Sequence, residues 1–229
     1  YRKLQCFPLT PEDAPNTEDG FLEREFEYTT GSERKPQSCD KLFSLQDPDI
    51  KKHILLVGNP GSGKSTILHN KLSHDWANGS HKQFNLLFAI DACNVYEHGE
   101  LVDIIHDQLL KDVPKEQLAE LIRNHSSSTA FLVDGFDEIP ANCKGKVKQS
   151  GIGHLLAGRS SQGSHVIVST RPSEISQFAK AYGDYEQVYL TDFSDDAADL
   201  YAKNVFSRIE NESKTNYEGA PKNKRRRKD

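Results

Sequence analysis

The strongest constraint on this chain is the stretch HILLVGNPGSGKSTILHNKL, residues 53–72. A short apolar run enters it, three glycines and a proline follow, and apolar residues resume at helical spacing. The entering run has strand length, and the leaving run places Ile67, Leu68, Leu72 and Trp76 on one helix face. Between them, Gly58, Asn59, Pro60, Gly61, Ser62, Gly63, Lys64 and Ser65 match G-x-x-x-x-G-K-[ST], and Thr66 follows. Glycines let the main chain wrap with its N–H groups turned inward, because a Cβ would crowd both the turn and an approaching anion. The helix that starts there adds unpaired first-turn amides and the positive end of its dipole. Such a loop is built to cradle phosphates, with Lys64 reaching the β and γ groups and the Ser65 hydroxyl completing a Mg²⁺ shell.

The remaining pattern sets this loop in an alternating fold. Apolar runs of strand length occur at 53–58, 84–92, 130–137, 165–170 and 186–190. They are continuous rather than alternating, as in a parallel sheet buried on both faces. Amphipathic stripes lie between them: Leu101, Ile104, Ile105 and Leu109, then Leu118, Leu121 and Ile122 beyond Pro114, then Ile175, Phe178, Ala179 and Tyr182. Strands and helices in this order predict a doubly wound, three-layer α/β/α domain over residues 51–192. Residues 1–50, rich in Pro, Ser, Thr and acids, are expected to be a partly disordered lead-in with one short helix. A last helix is predicted over 194–206, with Ser194 as N-cap, and residues 207–229 as a disordered basic tail.

Two further motifs fall at predicted strand ends. AFLVDGFDE puts Asp134 after a buried run, where a carboxylate can hold Mg²⁺ through its water shell. Asp137 and Glu138 follow within reach of a γ-phosphate, where a carboxylate can polarise an attacking water. VIVSTRP ends on Arg171, whose planar fork suits phosphate oxygens and could sense the γ group. Read alone, each has a plain alternative, a solvated Asp-Gly turn or a surface ion pair. At the ends of three central strands they would face one crevice.

Composition narrows the partners. A formal net charge of −5 argues against a generally basic nucleic-acid surface, although KNKRRRK at 222–228 concentrates six basic residues. Cys6, Cys39, Cys93 and Cys143 are widely spaced, a pattern that suits free thiols better than zinc or a redox pair. No run approaches eighteen apolar residues, so no membrane partner is expected. A cytoplasmic setting is anticipated, and the lack of any methionine suggests a fragment.

Taken together, GNPGSGKST, FLVDGFDE, STRP and LTDFSDDAADLYAKNVF resemble the NACHT domain, the nucleotide-binding module of signal-transduction ATPases that include the NOD-like receptors. The resemblance spans roughly residues 50–206, and the small Gly135 directly after Asp134 is its most specific mark. It implies a five-stranded P-loop NTPase sheet of order 5-1-4-3-2 and the start of a helical lid. It also implies an ATP/ADP switch with slow hydrolysis and self-association into a signalling scaffold of innate immunity or cell death. Carried over, Gly58 to Ser65 and Thr66 hold phosphates, Ser65 and Asp134 serve Mg²⁺, Asp137 and Glu138 are hydrolytic acids, and Arg171 is the sensor. The family continues through further helical and winged-helix domains, and a fragment that stops short of them is the expectation here. A small-molecule phosphotransferase and a nucleic-acid-dependent ATPase using the basic tail are the competing readings.

Overall fold

The computed structural model describes residues 25–30, 33–38, 42, 52–95, 99–183, 185–190, 199, 203 and 206. Seven strands form one sheet: β1 (Glu25–Thr30), β2 (Glu33–Ser38), β3 (His53–Val57), β4 (Leu86–Asp91), β5 (Thr129–Asp134), β6 (His165–Thr170) and β7 (Glu186–Leu190). Their order is β2-β1-β7-β3-β6-β5-β4. Strands β3 to β7 are mutually parallel, and counted from β3 they run 5-1-4-3-2, as anticipated.

The hairpin β1–β2 is a finding the sequence reading did not contain. It adds antiparallel to the outer edge of β7, with Phe26 opposite Leu190 and Tyr28 opposite Val188. Its outer strand ERKPQS is charged and carries Pro36, which has no N–H to offer the ladder. That composition belongs at a sheet margin, where it blocks further strand addition.

Alternation along the central strands divides the core between two faces. On one face Leu55, Val57, Phe88, Ile90, Phe131, Val133, Val166 and Val168 belong to a single buried cluster. That cluster takes in α2 (Leu101–Leu109), α3 (Lys115–Asn124), α4 (Lys144–Val147), α5 (Gly151–Leu156) and α6 (Ile175–Tyr182). The intervening residues Ile54, Leu56, Leu87, Ala89, Leu132 and Ile167 turn to the other face and are equally buried. The segment after the glycine loop also buries Ile67, Leu68, Leu72 and Trp76, and Trp76 Nε1 donates to the Phe84 carbonyl at 2.9 Å. The predicted break at Pro114 is real, since α2 ends before it and α3 starts after it. Short α4 and α5, with sequences KGKV and GIGHLL, carry too little periodicity to read in advance.

Residues 16–22 and 193–229 form a second compact unit. Within it Asp199, Lys203 and Phe206 are helical and exposed, at spacings that share one helix face. Ser194 and the basic stretch 222–228 lie outside the described residues.

His165 gives the fold a pH dependence. Its ring lies 5.5 Å from that of Phe84, and its Nε2–H donates to the Leu42 carbonyl at 2.8 Å. Burial drives its pKa down to about 4, against an ordinary value of 6.5. Between those values the unfolded chain binds a proton that the folded chain refuses, so stability falls as pH falls through this window. Urea midpoints measured at about pH 7 and about pH 5 should therefore drop in the native sequence, and drop less in His165→Gln, which keeps a donor for Leu42.

Candidate functional site

The glycine loop leaves β3 at the sheet's carboxyl edge. Its first amide, Gly58 N–H, donates to the Thr170 carbonyl at 3.2 Å and ties the loop to the end of β6. A Cβ at Gly58 would stand 2.3 Å from Ser62 Oγ, so a larger residue there would require the Ser62 side chain to move aside. Gly61 and Gly63 have φ of +75° and +87°, the left-handed region that turns successive amides to one side. Ile67 N–H then bonds the Gly63 carbonyl at 3.0 Å and begins the helix.

That helix is unusual. Thr66–Leu72 is a π-helix that runs into α1 (Ser73–Ala77), and both Ser73 N–H and Ser73 Oγ reach back five residues to the Leu68 carbonyl. π-helical turns are rare and concentrate at functional sites. Lys64, at the loop's end, donates from Nζ to the carbonyls of Gly58 at 2.8 Å and Asn59 at 3.1 Å. Burial lowers its pKa, and the nearby Asp137 and Asp134 carboxylates work in the opposite direction.

Opposite the loop, β5 ends at Asp134, three residues before the predicted end of its strand. Gly135, at φ +75°, turns the chain into a single 3₁₀ turn, Phe136–Glu138. This turn is what brings Asp137 and Glu138 back beside Asp134. Ser169, on β6, braces the corner, donating its hydroxyl to Asp134 Oδ1 and accepting Gly135 N–H at 2.7 Å. Burial alone would raise Asp134, but His69, Ser169 and a hydrogen bond from Ser65 outweigh it and hold the carboxyl below its ordinary range. His69 is shifted upward: burial opposes its charge, and Asp134 and Asp91 more than offset that. Arg171 Nε pairs with Asp137 Oδ2 at 2.6 Å, and the Asp137 side chain is only 7% exposed.

These groups enclose a cavity of about 310 Å³. From the loop it is lined by Pro60, Gly61, Gly63, Lys64, Ser65 and Thr66; from the acidic turn and β6 by Asp134, Asp137, Glu138, Ser169 and Arg171. Three of the sequence-predicted residues stand outside the lining. Gly58 and Ser62 are buried, and Asn59 is exposed, contributing its carbonyl to Lys64. Sequence reasoning overlooked Ser169, His69 and Asp91. The signal for Asp91 was present in FAIDA, an acid at a strand end like Asp134; His69, within the π-helix, had none.

Sequence comparison gives the family. A family model described as the NACHT domain matches residues 52–208, and the chain belongs to that family. It is similar to the mouse protein "NACHT, LRR and PYD domains-containing protein 10", at 23% identity over 184 residues, covering 76% of this chain and 26% of that one. It is also similar to "Protein NLRC5" of Ictalurus punctatus, at 25% identity, covering 67% of this chain and 10% of the other. The chain thus spans about a quarter of the first relative's length and a tenth of the second's. Among solved structures, Thermotoga maritima RuvB aligns at 14% identity with a TM-score of 0.37, over 69% of this chain and 44% of that one.

Ser169 is where the brace can be tested. Ser169→Ala leaves the buried Gly135 N–H without its acceptor, which should cost about 1–3 kcal/mol. Thermal or urea denaturation would show it, and an unchanged midpoint would mean the Asp134 corner holds without the hydroxyl.

Proposed function

We propose that this domain binds ATP and ADP with Mg²⁺ and acts as a slow-hydrolysing, nucleotide-dependent switch. The observation that carries the reading is the facing of the amide-lined loop, Lys64 and Ser65 against Asp134, Asp137, Glu138 and Arg171 across one cavity. Anion-binding groups on one wall and carboxylates on the other are what a metal-bridged polyphosphate requires.

The residues present fit Mg²⁺. Ser65 and Asp134 line the same cavity, and both offer hard oxygen donors. Ser65 would hold the ion directly and Asp134 through water, and the ion would neutralise charge on the β and γ phosphates. The chain's own groups do the rest. Loop amides from Gly61 to Thr66 orient the phosphates, and Lys64 exchanges its two carbonyl partners for phosphate oxygens. Asp137 is committed to Arg171, so Glu138, exposed and packed over Gly135, is the carboxylate free to take a proton from an attacking water. With Nε engaged, the other Arg171 N–H groups remain for the γ-phosphate.

The NACHT assignment supports the switch reading, and the mouse relative's name puts such a domain beside LRR and PYD domains. On that basis the module would belong to a cytoplasmic innate-immune receptor and self-associate when ATP is bound. Among the described residues no helix is long and apolar enough to cross a membrane.

Two substitutions test the site. Lys64→Ala should weaken Mg-ATP binding by about 100-fold or more, the loss of two charge-assisted contacts of about 1.5 kcal/mol each; calorimetry showing native affinity would refute the cradle. Glu138→Gln should keep nucleotide affinity and slow phosphate release by about 100-fold or more. Equal turnover would transfer the base role to another group.

A further inference from the structure

Beside the phosphate loop stands a trio of ligand-type side chains that nucleotide binding does not use in full. Asp91 closes β4, Asp134 closes β5, and the two are register partners. Like charges on facing strand positions repel. A third side chain, His69, enters between them from the π-helix. Its Nε2 lies 3.6 Å from Asp91 Oδ1 and 3.4 Å from Asp134 Oδ2, and the three ligand atoms all fall within 4.8 Å of one another.

Each member is fixed by a different part of the fold. Gln108 clamps the Asp91 backbone, accepting its N–H at 3.0 Å and donating to its carbonyl at 3.3 Å. Ser169 orients Asp134 through the carboxylate oxygen that faces away from His69. The side chains of His69 and Asp134 are 14% and 12% exposed, whereas Asp91, at 42%, opens the cluster to water. The other ring nitrogen, His69 Nδ1, is buried and without a hydrogen-bond partner among the described residues.

The spacing is long for a hydrogen-bonded ion pair and leaves room for a shared ion. Charge-assisted N–H···O bonds measure about 2.7–2.9 Å, shorter than either separation here. Ligands bonded at about 2.0–2.1 Å in a tetrahedral shell stand about 3.3 Å apart, which agrees with both. An octahedral Mg²⁺ shell would bring neighbours to about 2.9 Å and prefers oxygen throughout. One imidazole with two carboxylates is instead a donor set for a first-row transition ion.

We propose that His69, Asp91 and Asp134 form a binding site for a zinc-class divalent ion, with water as fourth ligand on the Asp91 side. Because Asp134 belongs to both sites, zinc here opposes Mg-nucleotide binding. The zinc site itself does not depend on the nucleotide reading.

The test uses the full chain, stripped of metal with a chelator and titrated with Zn²⁺ by calorimetry, with Co²⁺ absorption reporting the coordination geometry. One equivalent of Zn²⁺ should bind, Co²⁺ should show a tetrahedral spectrum, and His69→Ala and Asp91→Asn should each weaken binding by about tenfold or more. Lys64→Ala should retain zinc while losing nucleotide, so failure of one assignment is distinguishable from failure of the other. Circular dichroism checks folding; should His69→Ala not fold, the half-exposed Asp91→Asn carries the comparison. No Zn²⁺ binding, or Zn²⁺ binding left unchanged by a folded variant, would overturn the proposal.

Discussion

The register that joins β3, β6, β5 and β4 is the constraint on which the site depends. Val57 pairs with Thr170, Val133 with Val168, and Asp91 with Asp134, so four strands stop at one level of the sheet. Apolar burial enforces this alignment, because a slip of one residue would turn each strand's core face to the wrong side. The pairings place the glycine loop, the acidic turn and the Ser169–Arg171 segment around one crevice before any polar contact forms. Gly58 N–H to the Thr170 carbonyl and Ser169 to Asp134 and Gly135 then lock the edges together.

Much of this was legible because the central strands are buried on both faces and announce themselves as unbroken apolar runs. The order of the five parallel strands followed from the family resemblance carried by the motifs at their ends. The hairpin β1–β2 was harder. EFEYTT does alternate, but ERKPQS is polar and proline-containing, the signature of a strand that answers to its edge position rather than to a core. α4 and α5 escaped notice for a related reason: each is held by its surroundings, and Gly151 lies so close to α2 that a Cβ would stand 2.0 Å from the Leu101 nitrogen. Of the residues lining or flanking the cavity, those set by motif spacing could be read in advance, and those set by tertiary placement could not. Ser169 reads as an ordinary strand residue, and His69 reads as one more polar position on an amphipathic helix.

Charge balance links the two cation assignments. Four carboxylates, Asp91, Asp134, Asp137 and Glu138, gather at this edge, and Lys64, Arg171 and His69 are the side chains set against them. Arg171 neutralises Asp137, and Lys64 sits on the loop's own carbonyls. Asp134 therefore answers to His69, Ser65 and Ser169 at once. On the proposed readings, a cation held by Asp134 would be coupled to the first turn after the loop through His69.

The most direct measurement is a structure of the domain with Mg²⁺ and a non-hydrolysable ATP analogue. The account predicts phosphate oxygens within hydrogen-bonding distance of the amides from Gly61 to Thr66, with Lys64 Nζ moved from the Gly58 and Asn59 carbonyls onto the β and γ groups. A nucleotide bound elsewhere, or Lys64 still held by those two carbonyls, would contradict it.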